Sequence, residues 1–229
     1  MQHFDIWEYD VEGNTILDTE DVERAVYPFL GPKHTIKDVE KARKRLQSLY
    51  RKAGYPTVLV NIPEQDVVGG VVRLTVTQGK VEQVQVKGSR YFSLGRIRKA
   101  LPALAKGQVP YLPDVQKQLT ALNKATSDRQ VTPVLRAGST PGTLDVVLKV
   151  KDKLPLHGSV ALDNENSAGT KPLRLSASVS YDNLWQRQHS FSFQYQTAPQ
   201  DTSQVQVLAG TYVMPLDGTD DKLAFYAVR

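Results

Sequence analysis

The chain has 229 residues, 40% of them hydrophobic and 23% charged, which excludes a disordered protein and leaves room for one to three cored domains. It has no cysteine, which removes disulfides, thiolate metal sites and cysteine nucleophiles. No apolar run approaches the ~18 residues of a transmembrane helix, although an alternating membrane β-strand needs no such run.

The net charge of +5 is uneven: residues 156–229 carry −2 and residues 1–155 carry +7. Basic character alone points to an acidic protein, anionic lipid or nucleic acid, with low specificity. The N-terminal MQHFDIWEYD has neither a basic n-region nor a long apolar h-region, so it does not read as a signal peptide. An exported protein with this start is expected to be a mature or shortened form.

Residues 4–12 form a strand-like run that stops at the turn dipeptide Gly13-Asn14. Asp18 is placed to cap a helix whose first turn holds Glu20 and Asp21 and whose apolar face is Val22, Ala25, Val26 and Phe29. Gly31-Pro32 breaks it. Thr35 with Asp38 marks a second helix with Val39, Ala42, Leu46, Leu49 and Ala53 on one face, and Gly54 suits its left-handed C-terminal residue. Thr57–Ile62 and Val71–Thr77 then read as β-rich runs joined by a loop.

This order, β-α-α-β-β, recurs about 75 residues later. Gly13-Asn14 aligns with Gly88-Ser89, and Val72, Leu74 and Val76 align with Val146, Leu148 and Val150. In the second copy Val81–Lys87 is a strand, Ser93 starts a helix expected to reach Ala105, and Pro113 opens another reaching about Ala125. Val131–Arg136 and Leu144–Lys151 close the unit across Pro141-Gly142.

Beyond Pro155 helical spacing gives way to alternation. Leu173, Leu175, Ala177, Val179 and Tyr181 alternate with polar residues, as do Phe191, Phe193 and Tyr195, and then Val205, Val207, Ala209, Thr211 and Val213. The first two sets are expected to share one face of a hairpin, residues 173–181 pairing with 190–196 across the turn Asp182–Gln188. Segments of about ten alternating residues suit a transmembrane barrel, and equally a one-sided antiparallel sheet. The small, hydroxylated or amide-bearing residues between the apolar ones favour a wet barrel lumen. Five such strands are too few to close a barrel, so residues 156–229 read as the start of one, cut off at Arg229.

His3, His34, His157 and His189 share no metal-ligand spacing, and neither G-x-S-x-G nor a phosphate-cradling glycine motif occurs. The expectation is a protein that is not an enzyme, with no cofactor and no metal site. Nucleic-acid binding is the weakest reading, since no recognition motif accompanies the basic residues.

The stretch Gly54-Tyr55-Pro56, then Ile62-Pro63-Glu64-Gln65-Asp66 through Gly69-Gly70 and Val71–Val81, resembles the first POTRA domain of the TpsB family, the two-partner secretion transporters that export haemolysins and filamentous haemagglutinins. Gly13–Leu17, Leu162–Thr170 and Tyr181–Leu184 resemble further motifs of that family. The resemblance implies an α+β chain with POTRA domains at 1–79 and 80–152, followed at 153–229 by the first strands of a Gram-negative outer-membrane β-barrel. It implies that the POTRA domains, in the periplasm, pass a secreted TpsA-type exoprotein to the pore without ATP, and that the barrel meets outer-membrane lipid. The family's barrel loop that carries "VRGY" has no counterpart here. The alternative is a soluble periplasmic POTRA-like scaffold with a β-sandwich.

Unfolded cargo is expected to add as a strand to an exposed edge formed by Thr57, Val58, Leu59, Val60, Asn61 and Ile62. Leu46, Leu49 and Tyr50 of the adjoining helix are expected to supply pockets, and Lys44, Arg45 and Arg51 to attract acidic cargo.

Overall fold

The computed structural model describes residues 3–164, 169–216 and 221–229. The chain forms two compact units, one of Met1–Lys87, Ile97–Leu122 and Val131–Lys149, the other of Gly88–Arg96, Asn123–Gln130 and Val150–Arg229.

The first repeat opens with β1 (Phe4–Ile6) and β2 (Glu8–Glu12), where the sequence suggested one continuous strand. Helix α1 (Thr19–Val26) follows, then a 3-10 turn at Tyr27–Phe29, β3 (Gly31–His34), α2 (Ile36–Lys52), β4 (Val58–Asn61) and β5 (Val71–Gln78). Strands β2, β5 and β4 form a sheet in that order, β2 parallel and β4 antiparallel to β5. Strands β1 and β3 form a separate antiparallel ribbon. The β-α-α-β-β order therefore holds, with this ribbon added.

Local chemistry explains the helix ends. Asp18 occupies the N-cap of α1 through its backbone only, its carbonyl accepting from the N–H groups of Asp21 and Val22. At α2 the Asp38 carboxylate accepts from both the N–H and the hydroxyl of Thr35, at 3.1 and 2.9 Å. Lys41 and Thr35 together hold that carboxyl well below its usual range. At the far end Tyr55 N–H bonds to Tyr50 O and Gly54 N–H to Arg51 O, a Schellman closure that places Gly54 at φ +92°. Val39, Ala42, Leu46 and Tyr50 of α2 are buried against Val58, Val60, Val72, Leu74 and Val76. Burial pushes the Tyr50 phenol up to about 12, and its hydroxyl donates to Asn14 Oδ1 at 2.7 Å.

The second repeat has β6 (Lys80–Lys87), α3 (Leu94–Lys99), α4 (Leu112–Lys124), β7 (Arg129–Ala137) and β8 (Thr143–Asp152), its sheet ordered β6-β8-β7. The helix expected to reach Ala105 ends at Lys99, because Pro102 cannot continue it and starts a 3-10 turn instead. In the β7–β8 loop, bonds from the Ser139 and Thr143 hydroxyls hold Glu82 at about 2.

The two repeats are built alike where their first strands turn. A Cβ on Gly13 would lie 2.5 Å from Val76 O, and one on Gly88 would lie 2.4 Å from Val150 O. Asn14 bonds Leu17 O and Ser89 bonds Phe92 O, each three residues on. Glycine is required at both turns by the close approach and by φ values of +84° and +93°.

The last third is an antiparallel meander: β9 (Leu156–Asp163), β10 (Arg174–Leu184), β11 (His189–Thr197), β12 (Gln206–Pro215) and β13 (Lys222–Val228), each paired with the next. Strand β10 pairs with β11 from Leu175↔Thr197 to Tyr181↔Phe191, then shifts register to Leu184↔His189. The connecting turn is tighter than expected, only Trp185–Gln188.

Candidate functional site: a strand edge and a two-faced sheet

Strand β4 ends its sheet, paired on one side only. Side chains alternate along it: Val58 and Val60 are buried in the core, while Leu59 and Asn61 are exposed. The backbone of Val60 faces outward, since its carbonyl accepts from Arg43 Nη1 of α2 at 3.4 Å. Glu40 and Gln47 hold the Arg43 guanidinium there at 3.0–3.1 Å.

This corrects the side-chain part of the expected edge site. Leu46 and Tyr50 have no exposed surface and Leu49 is half-buried, so the first two hold the fold together and offer no pocket. Lys44 and Arg51 line a shallow cleft of about 260 Å³ along α2 with Arg43, while Arg45 faces a different cleft with Arg24 and Lys52 of α1 and α2. Arg43 is the cation at the edge itself. Thr57 and Ile62 flank β4 outside the ladder. The apolar opening beside the edge is a cleft of about 680 Å³ whose lining includes Phe4, Ile36, Val39, Ile62, Val67 and Val72.

The five-stranded sheet separates its side chains by face. Register places Leu156, Val160 and Leu162 of β9 with Leu175, Ala177, Val179 and Tyr181 of β10. Across the next two pairings they share a face with Phe191, Phe193 and Tyr195 and with Leu208, Gly210 and Tyr212. Leu223 and Phe225 complete it. The other face carries Ser159, Ser176, Ser178, Ser180, Ser190, Ser192, Gln194 and Gln196. Leu173 lies just outside β10, and Val207, Ala209, Thr211 and Val213 lie on the polar face, opposite Gln196, Gln194, Ser192 and Ser190. The apolar face is open: Val160 is 76% exposed, Val179 46%, Phe193 40% and Phe225 55%. At one end of it Trp185, His189, Tyr212 and Phe225 form a chain of ring contacts with centroids 5.6–6.4 Å apart.

Sequence spacing did not bring out one cluster. His157 Nε2 lies 2.8 Å from Asp128 Oδ2 and 3.3 Å from Asp182 Oδ2, and Lys153 Nζ lies 3.2 Å from Asp128 Oδ1. Asp128, His157 and Asp182 are the metal-type group found among the described residues. The Lys153 ammonium already neutralises the buried Asp128, and the group is accounted for as an ion-pair network.

Nearby, burial pushes the Asp152 carboxyl up, but the N–H groups of Tyr91 and Arg90 and the Ser89 hydroxyl outweigh it and hold the group below its ordinary value. A depressed carboxyl stabilises above the unfolded value of about 4 and loses that contribution as pH falls through the folded value. Asp152→Asn is therefore expected to lower stability at neutral pH and to flatten its acid limb. Urea titrations at a series of pH values check this, and an unchanged acid limb contradicts it.

Residues 4–79 match the model of the ShlB-type POTRA domain, and residues 142–220 match that of the haemolysin secretion/activation proteins ShlB/FhaC/HecB. The part of the family's first barrel loop at residues 165–168 lies outside the described residues. The outer membrane transporter CdiB of Dickeya dadantii (strain 3937) is 27% identical over 182 residues, 80% of this chain and 32% of that protein. The outer membrane transporter CdiB-2 of Burkholderia pseudomallei (strain 1026b) is 31% identical over 140 residues, 61% of this chain and 23% of that protein. Among solved structures, CdiB from Escherichia coli aligns with a TM-score of 0.72 at 22% identity, covering 94% of this chain and 40% of that one. The chain thus spans about a third of the length of the curated relatives it matches.

Proposed function

We propose, from the premise that the chain belongs to the two-partner secretion transporters of the ShlB/FhaC/HecB type, that it takes part in moving a secreted exoprotein across the outer membrane. Residues 1–79 and 80–152 are the two POTRA domains, working in the periplasm, and residues 153–229 are barrel strands. The observation that carries this reading is the β9–β11 part of the sheet, with one open apolar face and one face lined chiefly by hydroxyls and amides, as a lipid-facing and lumen-facing wall requires. The rings around Trp185 and Tyr212 suit the aromatic girdle at a membrane interface. A sandwich would instead cover the apolar face with a second sheet.

Cargo capture rests on β4. An unfolded chain carries unpaired N–H and C=O groups, and β4 presents an outer edge in fixed register, where the Val58 N–H is bonded to Tyr55 O and the Val60 carbonyl to Arg43, so that cargo adding there displaces Arg43. Each added bond gives a net of only about 0.5–1.5 kcal/mol, so the cargo binds and leaves onward. Apolar cargo side chains enter the cleft beside Ile62. Proline at Val58 or Val60 is a poor probe, because it also removes a buried side chain. The absence of cysteine from these 229 residues permits a cleaner one. In the full-length transporter, Leu59→Cys and Asn61→Cys carrying a photo-crosslinker are expected to capture cargo during secretion, and Glu12→Cys on β2 is not. Equal or stronger capture from position 12 would reject the β4 edge.

A further inference from the structure

We propose that Tyr181–Leu184, with the turn that follows, is a joint that fastens two loops of the second repeat to the sheet and keeps them fastened while cargo passes. The proposal rests on the transport reading above. Two neighbouring side chains grip different loops. Asn183, only 2% exposed, donates through Nδ2 to Tyr91 O and to Gln186 Oε1, both at 3.0 Å, and accepts from Gln188 N–H at 3.3 Å. Gln186 adds a bond to Tyr91 O at 3.0 Å and accepts from Ser93 N–H at 2.9 Å. The loop so held is itself anchored, since Asp152 accepts from the N–H groups of Arg90 and Tyr91 and from the Ser89 hydroxyl.

Asp182 grips the other loop through His157, which bridges to the buried Asp128 at the end of residues 123–128. Lys153 closes this side twice, with its ammonium on Asp128 Oδ1 and its N–H on Asp128 O at 2.9 Å. Asp182 N–H bonds Pro155 O at 2.9 Å.

A generic hairpin turn needs none of this. Tight hairpin turns commonly use positive φ, but here residues other than glycine hold it, Trp185, Gln186 and Gln188 at 53–60°, at a cost that the surrounding bonds offset. A buried amide with its partners satisfied, and a buried carboxylate held between an ammonium and an imidazole, both lose heavily when one partner goes. The joint also borders a small polar cup of about 180 Å³, whose lining includes Thr126, Ser127, Asp182, Gln188 and Ser190. Ser190 belongs to the polar face, so the gripped loop rims the start of the surface along which cargo would travel.

The test uses the full-length transporter in the outer membrane and its secreted partner. Leu94→Cys with Arg187→Cys, neighbours of the bonded pair Ser93 and Gln186 and outside the network, are joined by a short bifunctional thiol reagent. High cross-linking yield and secretion unchanged by cross-linking are expected. In the same cysteine background, Asn183→Ala combined with His157→Ala, which removes three bonds of Asn183 and both contacts of His157, is expected to lower the yield and to cut secretion at least tenfold. Heat-modifiable mobility, which reports a folded barrel, should stay native in that variant. Arrest of secretion by the cross-link would overturn the proposal by showing that the joint must open. Native secretion from the broken joint would overturn it too. If the uncross-linked parent secretes nothing, the transport reading fails instead, while the cross-linking yield still reports on the joint.

Discussion

Leu46→Ala should cost the first repeat about 2–5 kcal/mol, the loss of a buried leucine plus the cavity it leaves. Leu46 lies at the centre of α2, with no exposed surface, in the cluster that joins the helix to Ile6, Val58, Val60, Leu74 and Val76. A small domain holds only about 5–15 kcal/mol in total, so this one change removes a large share. Leu59→Ala is the matched control, 13 residues on and on the outer side of β4, where it is 49% exposed. It should shift stability by no more than about 0.5 kcal/mol. Urea unfolding of the two variants, with unchanged m-values, checks the contrast. Equal losses would mean that α2 does not pack on this sheet. The contrast also separates two roles that lie close in sequence: Leu46 builds the domain, and Leu59 lies on its exposed side.

The repeat was legible because burial imposes the same pattern twice. Val72, Leu74 and Val76 and their counterparts Val146, Leu148 and Val150 are all buried. The ribbon β1–β3 was hidden because Gly31-Pro32 reads as a break. Proline tolerates an edge ribbon, and the Asp5 carboxylate secures the kink by accepting from Lys33 N–H, with Lys33 at φ 60°. Alternation found the sheet but left the face of β12 undecided, since Leu208 and Tyr212 on one side compete with Val207 and Val213 on the other. Pairing decided it, by setting Gly210 opposite Phe193.

The candidate sites divide in the same way. The β4 edge was readable from its position in the order of elements. Arg43 at the Val60 carbonyl was not, because a long side chain reaching across to another element leaves no trace in periodicity. Asp128, His157 and Asp182 come from a loop and two strands, 29 and 25 residues apart, and no spacing motif covers such a set.

Arginine on the apolar face should separate a membrane wall from every soluble alternative. Val179 lies near the middle of β10, with Phe193 opposite on one side and Gly158 on the other. Val179→Arg should cost about 2–4 kcal/mol if that position sits near the bilayer midplane, and should reduce the folded, heat-modifiable form in the outer membrane. Ser178→Arg differs by one residue but points to the opposite face, where Ser159 and Gln194 are its neighbours. In a water-filled lumen its charge stays solvated, so insertion should stay close to native. In a sandwich with its apolar face covered, Val179→Arg would impair folding in detergent-free buffer as well as in membranes. In a sheet wet on both faces neither change would matter. Comparing the two variants for insertion into lipid therefore tests the face assignment directly, and equal behaviour of the two would remove the barrel reading of residues 153–229.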